Sequence, residues 1–312
     1  MSAAAQALQL PVFRNILYAT DLAEDSRAAI PYVRVLAEEY GSTVHVLHVL
    51  EPEPMLEIPL DIPPELDSDR RIALLKLKEL VKPKPFGEAK TARFVERGRI
   101  AEVLKRFVAQ HAIDLIVVGT HGRRGFSKMM LGSVAEEIFR SNSCPVLTVG
   151  PHCLENREVE VKIGTVVVAT DFSQCAQTTL DYALSLAAAN KARLVLVHAV
   201  SRRIQVVPSA TEITGQSVDI YDEIEADDLA SARDEMSRLI CSPTMRGYMP
   251  ETIIELGMPA EVIMSAALKR RADVIVMGAH HMFGGAVASH LPWAIASEVV
   301  RSAHCPVLTV HS

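Results

Sequence analysis

Nowhere in the 312 residues does an uninterrupted apolar run approach the roughly 20 residues that a membrane-spanning helix needs, so no membrane partner is expected. The opening MSAAAQALQLPVFRN lacks a basic start leading into a long apolar stretch, which predicts no secretory leader. Cysteine is scarce: five residues, at 144, 153, 175, 241 and 305, with no CxxC. An odd, scattered set excludes a disulfide framework and a zinc ribbon and fits a reducing, cytoplasmic setting. Basic charge is not in excess either. Lys and Arg total 32 against 38 Asp and Glu, a formal net charge of −6, which argues against nucleic acid as the main partner. Two phosphate-binding signatures are also missing. There is no GxxxxGK[ST], and no GxGxxG follows the first apolar run.

What is present is a repeat. NILYATDLAEDSRAAIPYVRVLA at 15–37 resembles TVVVATDFSQCAQTTLDYALSLA at 165–187, and STVHVLHVL at 42–50 resembles ARLVLVHAV at 192–200. IDLIVVGTH at 113–121 resembles ADVIVMGAH at 272–280, and CPVLTV occurs unchanged at 144–149 and 305–310. Asp21 and Asp171 stand 150 residues apart, Cys144 and Cys305 161 apart, so the second copy is slightly longer. Two tandem domains are expected, over 1–150 and 163–312, with the polar stretch 151–162 as linker. The length suits two cores.

Each copy alternates short apolar runs with helical patterns. The runs are continuous rather than alternating, as in strands buried on both faces, so a doubly wound, parallel α/β sheet is predicted twice. The segments 51–70 and 201–222 are long for connections. Cys144 and Cys305, each beside a strand, read as small buried thiols.

Ligands of such sheets bind beyond the carboxyl ends of the strands. There the first copy carries LIVVGTHGRRGFSKMMLGS, 115–133, with glycines at 119, 122, 125 and 132 and positive charge at Arg123, Arg124 and Lys128. Gly119 could turn the chain sharply off its strand, and Gly122 could admit a ligand close to the backbone. Ser133 opens a helical pattern whose free N–H groups would favour an anion.

The spacing Gly119-x2-Gly122-x9-Gly132-Ser133, with the Asp closing the first strand, the LHV at 47–49 and the terminal CPVLTV, resembles the ATP-binding members of the universal stress protein family. The resemblance covers nearly the whole chain, twice. It implies strand order 3-2-1-4-5 in each domain, an adenine nucleotide alpha hydrolase-like α/β fold. It implies ATP, with Mg²⁺, as ligand. The implied nucleotide contacts are Asp21, Val44, Gly119, Gly122, Gly132 and Ser133, with Ala19, Thr20, Thr120, Arg123 and Val134 as neighbours. It further implies pairing through the last strands, placing 145–149 beside 306–310 as a pseudo-twofold pair, and a homodimer of tandem chains.

The second copy departs from this pattern. Gly278 and Asp171 remain, but His281 stands for the second motif glycine and Leu291-Pro292 for Gly-Ser. Leu adds bulk where phosphate would meet backbone and Pro removes a donor, so this copy is expected to have lost the triphosphate site. His280, His281 and His290 show no metal-ligand spacing and read as loop histidines.

No Asp, Glu or Gln lies within 119–133 to orient a water on a γ-phosphate. A nucleotide-dependent regulator or interaction protein is therefore preferred to an enzyme. An adenylate-forming or ATP-splitting enzyme is one alternative, disfavoured because ATDLAEDS contains no glycine. A scaffold or small-ligand carrier acting through the second domain is the other.

Overall fold

The computed structural model describes residues 10–51, 67–119, 144–154, 161–173, 176–201, 216–278 and 291–311. The first copy supplies β1 (Asn15–Ala19), β2 (Thr43–Leu50), β3 (Lys90–Arg97), β4 (Leu115–Gly119) and β5 (Val146–Val149). Between them lie α1 (Ile30–Tyr40), α2 (Ser68–Leu80) and α3 (Ile100–Gln110). The second supplies β6 (Thr165–Ala169), β7 (Arg193–Val200), β8 (Glu251–Leu256), β9 (Val274–Gly278) and β10 (Val307–Val310). Its helices are α4 (Ala176–Asn190), α5 (Gln216–Ile240), α6 (Pro259–Arg270) and α7 (Leu291–Ser302).

The sheet has ten strands in the order β3-β2-β1-β4-β5-β10-β9-β6-β7-β8. Each half is parallel and reads 3-2-1-4-5 from its outer edge, as expected. The halves meet where β5 and β10 run antiparallel. Leu147 faces Leu308, Val146 faces Thr309 and Thr148 faces Val307. Because CPVLTV is the same in both copies, this register is reciprocal, and the pseudo-twofold axis passes beside the leucine pair.

The two copies begin their sheets with the same device. Asp114, just before β4, accepts the N–H groups of Arg14 and Asn15 at 2.8 and 3.1 Å. Asp273, before β9, accepts those of Gly164 and Thr165 at 2.8 and 2.9 Å. A carboxylate thus closes the entry of each first strand, where backbone donors would otherwise lack partners.

On one face, a single apolar core runs through both copies, from Ile16, Tyr18 and Leu77 to Leu147, Leu308, Leu184 and Met236. On the other face the cores are separate, one under α3 and one under α6 and α7. The shared face is stitched by Phe13 stacked on Tyr182, ring centres 5.8 Å apart. Ser185 donates to the carbonyl of Pro11, so the 2.8 Å contact of its oxygen with Tyr40 has the Tyr40 hydroxyl as donor. Burial pushes the Cys144 thiol up to about 12 and Cys153 to about 11, and raises Cys305 as well. These are packed thiols, not nucleophiles. Among the described residues no helix is long and apolar enough to cross a membrane.

Candidate functional site

At the carboxyl end of β1 the chain leaves the sheet through Thr20 and Asp21 and enters a 3-10 turn, Asp25–Ala29. Thr20 hangs from the neighbouring strand, its N–H on the carbonyl of Leu47 at 3.0 Å. His48 Nδ1 lies 2.8 Å from the carbonyl of Thr20. A carbonyl only accepts, so Nδ1 carries the proton and the tautomer is fixed.

The hydroxyls form a closed relay. Ser26 Oγ donates to the carbonyl of Ala23 at 2.8 Å. Its 2.9 Å contact with Thr20 Oγ1 therefore has Thr20 as donor, and Thr20 Oγ1 in turn accepts the N–H of Leu22 at 3.0 Å. Tyr18 OH donates to the carbonyl of Ser26 at 2.8 Å from within the core. Burial raises the Tyr18 pKa, which keeps it a donor. Leu22 is held at φ 64°, a left-handed conformation costing about 1–2 kcal/mol for a non-glycine residue, which the relay fixes in place.

Asp21 takes part with one oxygen only. Oδ1 accepts the N–H of Ala23 at 3.0 Å. Oδ2 is buried and has no hydrogen-bond partner among the described residues. The turn explains half of this carboxylate. The other half is an acceptor turned away from water beside the strand ends, and an orphaned buried acceptor is costly unless something donates to it.

Gly119 closes β4, paired with Val149. A Cβ on Gly119 would sit 3.2 Å from Ser26 Cα and 3.3 Å from the Ser26 carbonyl oxygen. The turn expected after this glycine leads into residues outside those described. The absent side chain of Gly119 lets the 3-10 turn lie against the strand. Gly98, in the turn from β3 into α3 with φ 145°, would place a Cβ 3.0 Å from Val103.

The structure thus brings Ala19, Thr20, Asp21 and Gly119 together at one end of the sheet. Val44 is not among them. It pairs with Ile16 near the start of β2 and is fully buried in the shared core, three residues below Leu47, or about 10 Å at 3.3 Å per residue. The β2 residues level with the Thr20–Asp21 loop are His48 and Val49, within the LHV already noted in the sequence. Thr120, Gly122, Arg123, Gly132, Ser133 and Val134 lie outside the described residues, as do Arg124, Lys128, His280, His281 and His290.

The second copy repeats the frame without its fastenings. His198 Nδ1 meets the carbonyl of Thr170 at 2.8 Å, Thr170 Oγ1 accepts from Phe172 at 3.1 Å, and Asp171 Oδ1 accepts from Ser173 at 3.0 Å. Phe172 repeats the left-handed residue, φ 57°. But Val168 stands where the first copy has Tyr18, and Ala176 where it has Ser26. Asp171 is exposed, whereas Asp21 is half-buried. Tyr18, Ser26 and His48 were missed in the sequence reading. Placing the copies side by side at the 150-residue offset of this stretch would have marked the first two as differences.

The profile of the universal stress protein family matches residues 13–150 and again 162–311. A universal stress protein of Methanocaldococcus jannaschii is 29% identical over 143 residues, 44% of this chain and 82% of that one. Universal stress protein A homolog 1 of Coxiella burnetii is 34% identical over 144 residues, 44% of this chain and 96% of that one. In three dimensions the chain is similar to a universal stress protein from Archaeoglobus fulgidus. The TM-score is 0.67 at 21% identity, covering 95% of this chain and 98% of that one, a likeness of fold. With its profile matched once in each half, the chain belongs to the universal stress protein family.

Proposed function

We propose that the first copy binds an adenine nucleotide, ATP with Mg²⁺, beyond the carboxyl ends of β1 and β4. In this reading the protein is a nucleotide-dependent regulator or interaction protein of a stress response, not a dedicated enzyme. The observation that carries it is Asp21 Oδ2, buried and unpartnered at the end of β1. A nucleoside offers the donors such an oxygen lacks, ribose hydroxyls or an exocyclic amine. The relay of Tyr18, Thr20 and Ser26 fixes the loop before ligand arrives, which lowers the ordering cost of binding. Gly122, Gly132 and Ser133 supply the phosphate end in this reading, by their match to the family motif. The Mg²⁺ is taken as part of the nucleotide. The second copy, with Val168, Ala176 and Leu291-Pro292, is assigned a structural or regulatory role. The division near 151–162, a cytoplasmic setting and a homodimer of tandem chains complete the proposal.

Calorimetric titration of ATP with Mg²⁺ into nucleotide-stripped protein tests it. One site per chain is expected, lost in Asp21→Ala and in the Gly122→Val, Gly132→Val pair, and kept in Asp171→Ala. No binding to the wild-type chain overturns the reading in favour of a scaffold or carrier.

A further inference from the structure

At the opposite end of the first copy, His45 of β2 is 8% exposed, and neither ring nitrogen has a hydrogen-bond partner among the described residues. It is enclosed by rings. Phe94 of β3 stacks on it at 5.7 Å, Phe107 of α3 meets it edge-on at 6.2 Å, and His111, the residue capping α3, lies at 5.3 Å. His111 in turn packs on Phe107 at 4.1 Å and on Phe94 at 4.9 Å.

The fold does not require this arrangement. In the second copy the places of His45, Phe94, Phe107 and His111 are taken by Val195, Ile253, Ala266 and Arg270. Val195 is fully buried in an ordinary apolar cluster, and Arg270 turns to Glu251 at 2.7 Å. A valine satisfies this position, yet the first copy buries an imidazole there with two unmet hydrogen-bonding groups. Among the described residues no third side chain completes a metal site around the pair. What remains for two adjacent imidazoles is a proton.

We infer that the His45–His111 pair is an acid-sensitive latch on α3. With His45 neutral, α3 stays packed on β2 and β3. A proton on His45 places a charge in an apolar pocket and loosens α3 in the first copy only.

Among the described residues the surroundings offer that charge no counter-ion. β1 presents Leu17 at this level and β3 presents Ala92. The ionisable residues on the same face of β3 are Lys90 and Glu96, and Glu96 is already paired with Arg106 of α3 at 3.0 Å. At the end of α3 stands His111, whose own charge opposes a second one. Burial first, and His111 second, lower the pKa of His45. As pH falls below about 6.5 the unfolded or opened chain takes the proton before the folded one. The contribution of His45 to stability is therefore complete above that value and declines as pH falls towards the lower, folded-state value.

The test compares the full chain with His45→Val, the residue of the second copy, on either side of the ordinary histidine value, at about pH 7.5 and about pH 5.5. Denaturant unfolding should show a larger acid loss of stability in the wild type than in the variant. Amide hydrogen exchange, corrected for its intrinsic pH dependence, should show α3 opening more in acid in the wild type, with α6 unchanged. Equal acid losses in both proteins, or an offset that is the same at both pH values, overturn the latch. So does a proton NMR titration of wild-type His45 with a midpoint at or above the ordinary value, a measurement that needs no variant.

Discussion

Gly119→Ala separates two reasons for a glycine at this position. If it is there to let the chain turn or a phosphate approach, alanine would disturb ligand binding and leave the fold alone. The structure gives another reason. The new Cβ would stand 3.2 Å from Ser26 Cα and 3.3 Å from its carbonyl oxygen, both backbone atoms. Such contacts need a shift of a few tenths of an ångström. Ser26 cannot give freely, because its carbonyl holds Tyr18 and its hydroxyl joins Thr20 to Ala23. Overpacking of this kind costs about 1–3 kcal/mol. Replacing glycine within a strand returns about 0.5–1 kcal/mol through the unfolded chain. The net expectation is a loss of up to about 2.5 kcal/mol, read by urea unfolding of the full chain. Gly164→Ala is the control. Its Cβ would meet only Asp273 Oδ2 at an ordinary 3.6 Å, so it should be neutral or slightly stabilising. Equal stability of the two variants would refute the packing account of Gly119.

Tyr18→Phe removes the donor to the buried Ser26 carbonyl and should cost about 1–2 kcal/mol by denaturant unfolding, with weaker nucleotide binding in the same variant. An unchanged protein would show that water replaces the hydroxyl. Leu147→Ala and Leu308→Ala each empty a buried place at the pseudo-twofold axis and should cost about 2–5 kcal/mol. Because the two leucines face one another, the double variant should depart from additivity by about 0.5 kcal/mol or more, and strict additivity would argue against their contact. Among Cys144, Cys241 and Cys305, a neutral-pH alkylating reagent followed by mass spectrometry should label the exposed Cys241 and spare the other two until the chain unfolds, since burial holds their thiols protonated.

The architecture was legible because the repeat repeats more than hydropathy. CPVLTV appears twice, so one β5-type edge had to be paired with something, and a copy of itself was available. The reciprocal register of Val146 with Thr309 and Thr148 with Val307 follows from that identity. The Asp after β1 was legible for a similar reason, since a carboxylate ending an apolar run cannot belong to the core. Position along a fully buried strand was not legible. Along Thr43–Leu50, Val44 and Val49 are the same residue type, and an apolar run carries no mark of which end meets the loops. Only the pairing of Ala19 with Leu47 shows that Val49 and His48, not Val44, lie level with Asp21. Gly119 was recognised, but its packing role was not legible, because the steric partner, Ser26, is 93 residues away in sequence and adjacent only once β1 and β4 are paired. The imidazole of His45 was hidden by the opposite effect. Within VHVLHV two histidines look alike, yet the strand sends His48 to a carbonyl and His45 into a ring cluster with nothing to bond. The period of two puts the pair, three residues apart, on opposite faces, and the rise along the strand sets them at different levels. The same strand therefore supplies a fixed tautomer at the ligand end and an unpaid imidazole at the other, and α3 spans the distance between them.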